Sequence, residues 1–132
     1  FKDFAHSPSK LRATTTAVKE QFPSKKVIAC MELHTFSSLK KDFLSQYKDC
    51  MSAADESLVY FSPEVMKHKN LDPISLEDVY LGFGGGVKVV NYTSEVLSFI
   101  FSKDMSNTVL LMMSSGNFDG IDYAKLAEDI CN

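Results

Sequence analysis

Three short polar stretches in this 132-residue chain hold residue types that could do chemistry. The first, Asp3-Phe4-Ala5-His6-Ser7-Pro8, sets a carboxylate and an imidazole three positions apart, just ahead of a Pro suited to a first helical turn. A helix N-terminus favours anions, so this pattern suits contacts to ribose, phosphate or a metal-bound water. An isolated Asp-x-x-His more often bonds its own neighbouring backbone. The second stretch, Glu32-Leu33-His34-Thr35-Phe36-Ser37-Ser38-Leu39, puts an imidazole and two hydroxyls after an apolar run. There Ser37 or Ser38 is a natural helix cap or a substrate contact. The third, Ser114-Ser115-Gly116-Asn117-Phe118-Asp119-Gly120, has glycines that let backbone N–H groups converge on a carboxylate or oxyanion. A plain strand-to-helix turn would use the same residues.

Other chemistries lack their patterns. No G-x-x-x-x-G-K-[ST] loop, H-E-x-x-H helix or G-x-S-x-G elbow occurs. His6, His34 and His68 pair with neither each other nor a cysteine at zinc spacing, so no metal site is expected. Gly82-Phe83-Gly84-Gly85-Gly86 departs from G-x-G-x-x-G and precedes a strand, which makes it a turn. Asn91-Tyr92-Thr93 fits a glycosylation acceptor only formally.

The elements that must position these loops alternate along the chain. Leu11, Thr15, Val18 and Phe22 share one face of a helix over Pro8 to Phe22, capped by Ser7 or Ser9. Lys26 to Leu33 is a strand, and Leu39, Phe43, Leu44 and Tyr47 mark a second helical face. Ser57 to Phe61 is a strand, Glu64 to Lys67 a short helix, and Ser75 to Tyr80 opens with a capping box. Val87 to Tyr92 is a strand, Ser94 to Ser102 a helix with Leu97, Ile100 and Phe101 inward, and Thr108 to Met113 the most apolar strand. Ile121 to Cys131 is the last helix. Strands apolar on both faces, alternating with helices, predict a Rossmann-like α/β domain: three layers, a mostly parallel sheet flanked by helices. Ligands of such sheets gather at the carboxyl ends of the strands, where all three polar stretches fall.

The bulk properties narrow the setting. The length suits one domain spanning 1–132. A formal net charge of -3 argues against a broad grip on nucleic acid. No apolar run approaches the roughly 18 residues of a membrane span. Cys30, Cys50 and Cys131 are odd in number and widely spaced, so reduced, buried thiols and a cytoplasmic setting are expected. Phe1 to Phe4 reads as the tail of a strand, and the chain is expected to be one domain of a longer protein.

Taken together, the loops resemble the C-terminal domain of the Mur ligases of peptidoglycan synthesis and recycling, over essentially the whole chain. Asp3-Phe4-Ala5-His6-Ser7-Pro8 is similar to that family's D-[YF]-[AG]-H-x-P, and Ser115-Gly116-Asn117-Phe118-Asp119-Gly120-Ile121 to its S-N-G-x-F-G-G-I. The resemblance is strongest to the recycling branch, which joins a murein peptide to UDP-N-acetylmuramate. It implies a three-domain, ATP- and Mg2+-dependent ligase in which an N-terminal domain binds the UDP-sugar and a central ATPase domain carries the P-loop. This domain closes the site and is inactive alone. It implies that Asp3, His6 and Ser7 face the nucleotide, with Asp3 and His6 catalytic. His34, Ser37, Ser115, Gly116, Asn117 and Phe118 would line the pocket for the incoming amine. The second loop departs from the recycling form E-P-R-S-N-T by having no Arg, and His34 and Ser37 also suit the alanine-adding form Q-P-H-R-Y-S-R. A reading from another class is a stand-alone nucleotide- or peptide-binding module.

Overall fold

A computed structural model of the chain describes residues 2–3, 7–35, 37–114, 118 and 120–131, except for the side chains of Lys2, Asp3 and Cys131. Its strands are the apolar runs: β1 (Lys2–Asp3), β2 (Lys26–Leu33), β3 (Glu56–Phe61), β4 (Lys88–Val90) and β5 (Thr108–Met113). They form one sheet in the order β1-β5-β2-β3-β4, and every pairing is parallel. This is the predicted α/β architecture, with the described strands wholly parallel.

The helices are α1 (Pro8–Gln21), α2 (Pro63–His68), α3 (Leu76–Gly82), α4 (Thr93–Phe101) and α5 (Tyr123–Cys131), with a 3-10 helix at Lys41–Tyr47. Local chemistry starts several of them. Ser7 Oγ accepts from Lys10 N ahead of Pro8, Ser62 Oγ accepts from Val65 N ahead of Pro63, and Ser75 and Asp78 complete a capping box.

Alternation along the strands divides the core in two. Val27, Ala29, Met31 and Leu33 of β2 join Val59, Phe61, Leu111 and Met113 under α1, the 3-10 helix, α2 and α3. Ile28 and Cys30 join Leu58, Tyr60, Val90 and Met112 under α4 and α5. The sheet is therefore the middle of three layers. Cys30 and Cys50 are free and buried, and burial pushes the Cys30 thiol up to about 12, which suits packing rather than reactivity. Gly84, Gly85 and Gly86 all have positive φ, as a turn of this shape requires.

Four expectations shift. The second helical face is a 3-10 helix, its N–H groups bonding three residues back, as from Phe43 to Lys40. Neither Ser37 nor Ser38 caps it: the residue at the cap is Lys40, and the Ser38 hydroxyl donates to Thr35 O instead. With no side-chain cap, tighter bonding satisfies the helix end. In α4 the buried stripe is Val96, Phe99 and Ile100, with Leu97 packed against it, and Phe101 turns outward at 54% exposure. Phe101 lies about 100° around the helix from Ile100, beyond the stripe that Phe99 fixes. β4 is limited to three residues within the expected run.

The chain runs from β2 outward through β3 and β4, then returns to place β5 between β1 and β2. The connection leaving β2 covers one face of the sheet and α5, following β5, covers the other. The loops leaving β2 and β5 therefore part in opposite directions, opening the kind of crevice in which parallel sheets bind ligands.

Candidate functional site

Glu32 lies at the strand end from which one of those loops departs. It is the last but one residue of β2, on the α4 and α5 side of the sheet, and is 1% exposed. Extending the pairing of Met31 with Met113 by one residue sets Glu32 beside Ser114. The Ser114 hydroxyl donates to Glu32 Oε1 at 2.5 Å, and the Phe118 N–H donates to the same oxygen at 2.9 Å. A buried carboxylate costs several kcal/mol without such donors, so this acid and the loop after β5 require each other.

The other oxygen faces His34. Glu32 Oε2 lies 3.5 Å from His34 Nδ1, too long for a hydrogen bond but close enough for charge to orient the ring. The His34 side chain is 37% exposed, while its Nδ1 is buried and makes no hydrogen bond. One carboxylate thus connects His34 of the second polar stretch with Phe118 of the third.

Phe118 is held from two sides. Its φ of +56° is an uncommon conformation for an aromatic residue, and the bonds at each end of the residue offset that strain. Its carbonyl accepts from Thr93 Oγ1 at 2.8 Å, in the first turn of α4. Its fully buried ring stacks on Tyr60, 5.9 Å between centroids, and meets Tyr123 edge-on at 6.5 Å. Burial, and then the negative charge of Glu32, push the Tyr123 hydroxyl up to about 12, so it stays protonated near neutrality.

The remaining expected site residues are distributed as follows. Ser7 uses its hydroxyl to cap α1. Ser37 is exposed, and its carbonyl accepts from Lys40 N. His6, Ser115, Gly116, Asn117 and the side chain of Asp3 lie outside the described residues. Sequence reasoning passed over Glu32, Ser114 and Thr93. Glu32 carried a usable signal: it is the one acid in the run Val27-Ile28-Ala29-Cys30-Met31-Glu32-Leu33, where an ionisable group demands partners. Thr93 carried none, because its partner is 25 residues away.

Among the described residues no cluster of three His, Cys, Asp or Glu side chains converges as a metal site, and no helix is long and apolar enough to cross a membrane. A groove of about 850 Å³ lies elsewhere, between Phe22 of the α1 end and Leu126 and Ile130 of α5. It follows the edge of β5 on the side where β1 pairs with Met112 and Met113. Its walls are mostly apolar, unlike the polar groups gathered around Glu32.

No family model matches the sequence. Solved structures do share the fold. A domain of a protein assigned as a UDP-N-acetylmuramate:L-alanyl-γ-D-glutamyl-meso-diaminopimelate ligase, from Haemophilus ducreyi 35000HP, superimposes with a TM-score of 0.65 at 22% identity, over 98% of this chain and 88% of that one. A murein peptide ligase from Psychrobacter arcticus 273-4 gives 0.68 at 18% identity over 94% of this chain. The UDP-N-acetylmuramate–alanine ligase of Thermotoga maritima gives 0.62 at 20% over 97%. This chain spans 26% and 24% of the lengths of the last two. These neighbours are members of the Mur ligase family, and what this chain has in common with them is the α/β fold of one of their domains.

Proposed function

We propose that this chain is the C-terminal, site-closing domain of a cytoplasmic ATP-dependent ligase that joins a murein peptide to UDP-N-acetylmuramate. The observation that carries this reading is the joining of two strand-end loops, those of His34 and Phe118, through Glu32 on a fold shared with murein peptide and UDP-N-acetylmuramate ligases. The motifs beginning at Asp3 and Ser115 support it from the sequence.

In this reading ATP phosphorylates the muramoyl carboxylate, the amino group of the peptide attacks the acyl phosphate, and phosphate leaves from the tetrahedral intermediate. In this reading Mg2+ and most of the nucleotide contacts belong to the other domains. Asp3, His6 and Ser7 approach the nucleotide on closure. His34, Ser37 and the loop over 115–118 border the amine. Closing the domain excludes water from the acyl phosphate and brings amine and carbonyl together, which can supply several kcal/mol of the barrier reduction. The isolated chain is inactive.

A second reading, addition of free L-alanine, draws on the absence of any Arg between Glu32 and Leu39 to read a diaminopimelate carboxylate. Assay of the whole protein with ATP, Mg2+ and UDP-N-acetylmuramate separates the two. Ligation of L-Ala-γ-D-Glu-meso-diaminopimelate is expected, and use of free L-alanine alone would reject the recycling role. A coding region without a P-loop domain upstream of Phe1 would favour a stand-alone binding module instead.

A further inference from the structure

His34 presents two nitrogens, and its surroundings distinguish them. Nδ1 is buried and lies 3.5 Å from Glu32 Oε2, while the side chain as a whole is 37% exposed, so the solvent-facing part of the ring is not Nδ1. A proton on Nδ1 points at an anion; a lone pair there would point at another lone pair. We propose that Glu32 is a positioning residue: its buried carboxylate fixes the Nδ1–H tautomer of His34, so that Nε2 faces the crevice as an acceptor, and the same group pins the loop after β5 through Phe118.

The two roles are divided between the two oxygens. Oε1 is occupied by the Ser114 hydroxyl and the Phe118 N–H, both donors. Among the described residues, Oε2 faces His34. An acceptor at the crevice mouth suits a ligand that brings N–H or O–H donors, such as an ammonium or amine group. That last step rests on the ligase reading; the tautomer and the pinning do not.

Glu32→Gln gives a directional test. Its carbonyl oxygen must take the Oε1 position, because Ser114 and Phe118 both donate there, and its amide NH2 then faces His34 Nδ1. The geometry therefore requires the tautomer to invert. Long-range 1H–15N spectra of the folded 132-residue chain, recorded at a pH where His34 is neutral, read this directly. The native protein is expected to show a protonated Nδ1 and an unprotonated Nε2, and Glu32→Gln the reverse. Ser114→Ala, which leaves the charge in place, should keep the native pattern. Glu32→Ala should lower hydrogen-exchange protection of the Phe118 amide about tenfold or more, since its charged acceptor is gone.

A native Nε2–H form overturns the proposal, and so does a Glu32→Gln protein that folds and keeps Nδ1–H. The native spectrum decides the tautomer even if Glu32→Gln does not fold. Unchanged Phe118 protection in Glu32→Ala overturns the pinning. No ligation is involved, so failure here leaves the ligase reading standing, and failure of ligation leaves this result standing.

Discussion

Glu32 and Glu56 sit on adjacent strands at opposite ends of the sheet, in opposite electrostatic settings. Glu56 opens β3 with its side chain 30% exposed and shared by two lysines: Lys103 donates to Oε1 at 2.8 Å and Lys26 pairs with Oε2. Beside it, Asp55 binds Lys19 at 2.8 Å and accepts from Val27 N at 2.7 Å. Glu32 closes β2, buried, and among the described residues it accepts from a hydroxyl and a backbone N–H and lies beside the His34 imidazole. At the amino ends of the strands, charge neutralises charge near water and fastens one strand start to another. At the carboxyl ends, a carboxylate is placed where it controls the geometry of loops. The same residue type thus serves packing at one edge and a site at the other.

Variants at the two edges should separate in size. The largest loss is expected for Phe118→Ala, about 4 kcal/mol of unfolding free energy, because a fully buried ring between two tyrosines is deleted while the left-handed backbone remains. Urea titration with an unchanged m-value would check this, and a loss below about 1 kcal/mol would mean that the ring is not packed as described. Glu32→Ala should cost about 3 kcal/mol, since two buried donors lose their acceptor. Glu56→Ala should cost about 1 kcal/mol or less, being a partly exposed pair. Equal losses at Glu32 and Glu56 would remove the contrast between the edges.

A smaller effect concerns Thr93→Val, which keeps the shape and removes one bond to the Phe118 carbonyl. About 1 kcal/mol is expected from the same titration. Under the proposed ligase function, Asp3→Ala and His6→Ala in the whole protein should lower turnover with little change in melting temperature, and unchanged turnover would remove both from the proposed site.

Acid should weaken the amino edge. The Asp55 carboxyl is held below its ordinary value chiefly by the Lys19 hydrogen bond and then by the Val27 N–H; Glu56 is lowered chiefly by Lys103 and then by Lys26. For groups lowered on folding, the stabilisation is complete above the ordinary carboxylate range near pH 4 and is lost as pH falls through the lowered values. An Asp55→Asn/Glu56→Gln double variant should therefore be less stable than the native chain at pH 6, with the gap narrowing below about pH 4. A gap that does not depend on pH would show that charge is not what these residues contribute.

The limits of β2 and β5 could be read from the sequence to the residue, because each is a mostly apolar run bounded by turn formers. Caps were legible less sharply: the sequence narrowed the start of α1 to Ser7 or Ser9, and the structure gives it to Ser7, which accepts from Lys10 N. The 3-10 helix was not, because its form depends on Ser38 being committed to Thr35 rather than to a helix end. The outward turn of Phe101 depends on which residue of α4 the sheet accepts first, and that is a property of the assembled layers.

By itself the sequence determined that this would be a parallel sheet clothed in helices with its polar loops at the strand ends, because apolar periodicity and turn chemistry act over a few residues. Only the tertiary structure decided which side chains govern those loops. Glu32 meets Ser114 and Phe118 across separations of 82 and 86 residues, and that meeting exists because the return of the chain sets β5 beside β2. A buried acid announces in the sequence that it needs partners; the order of the strands decides which partners it gets.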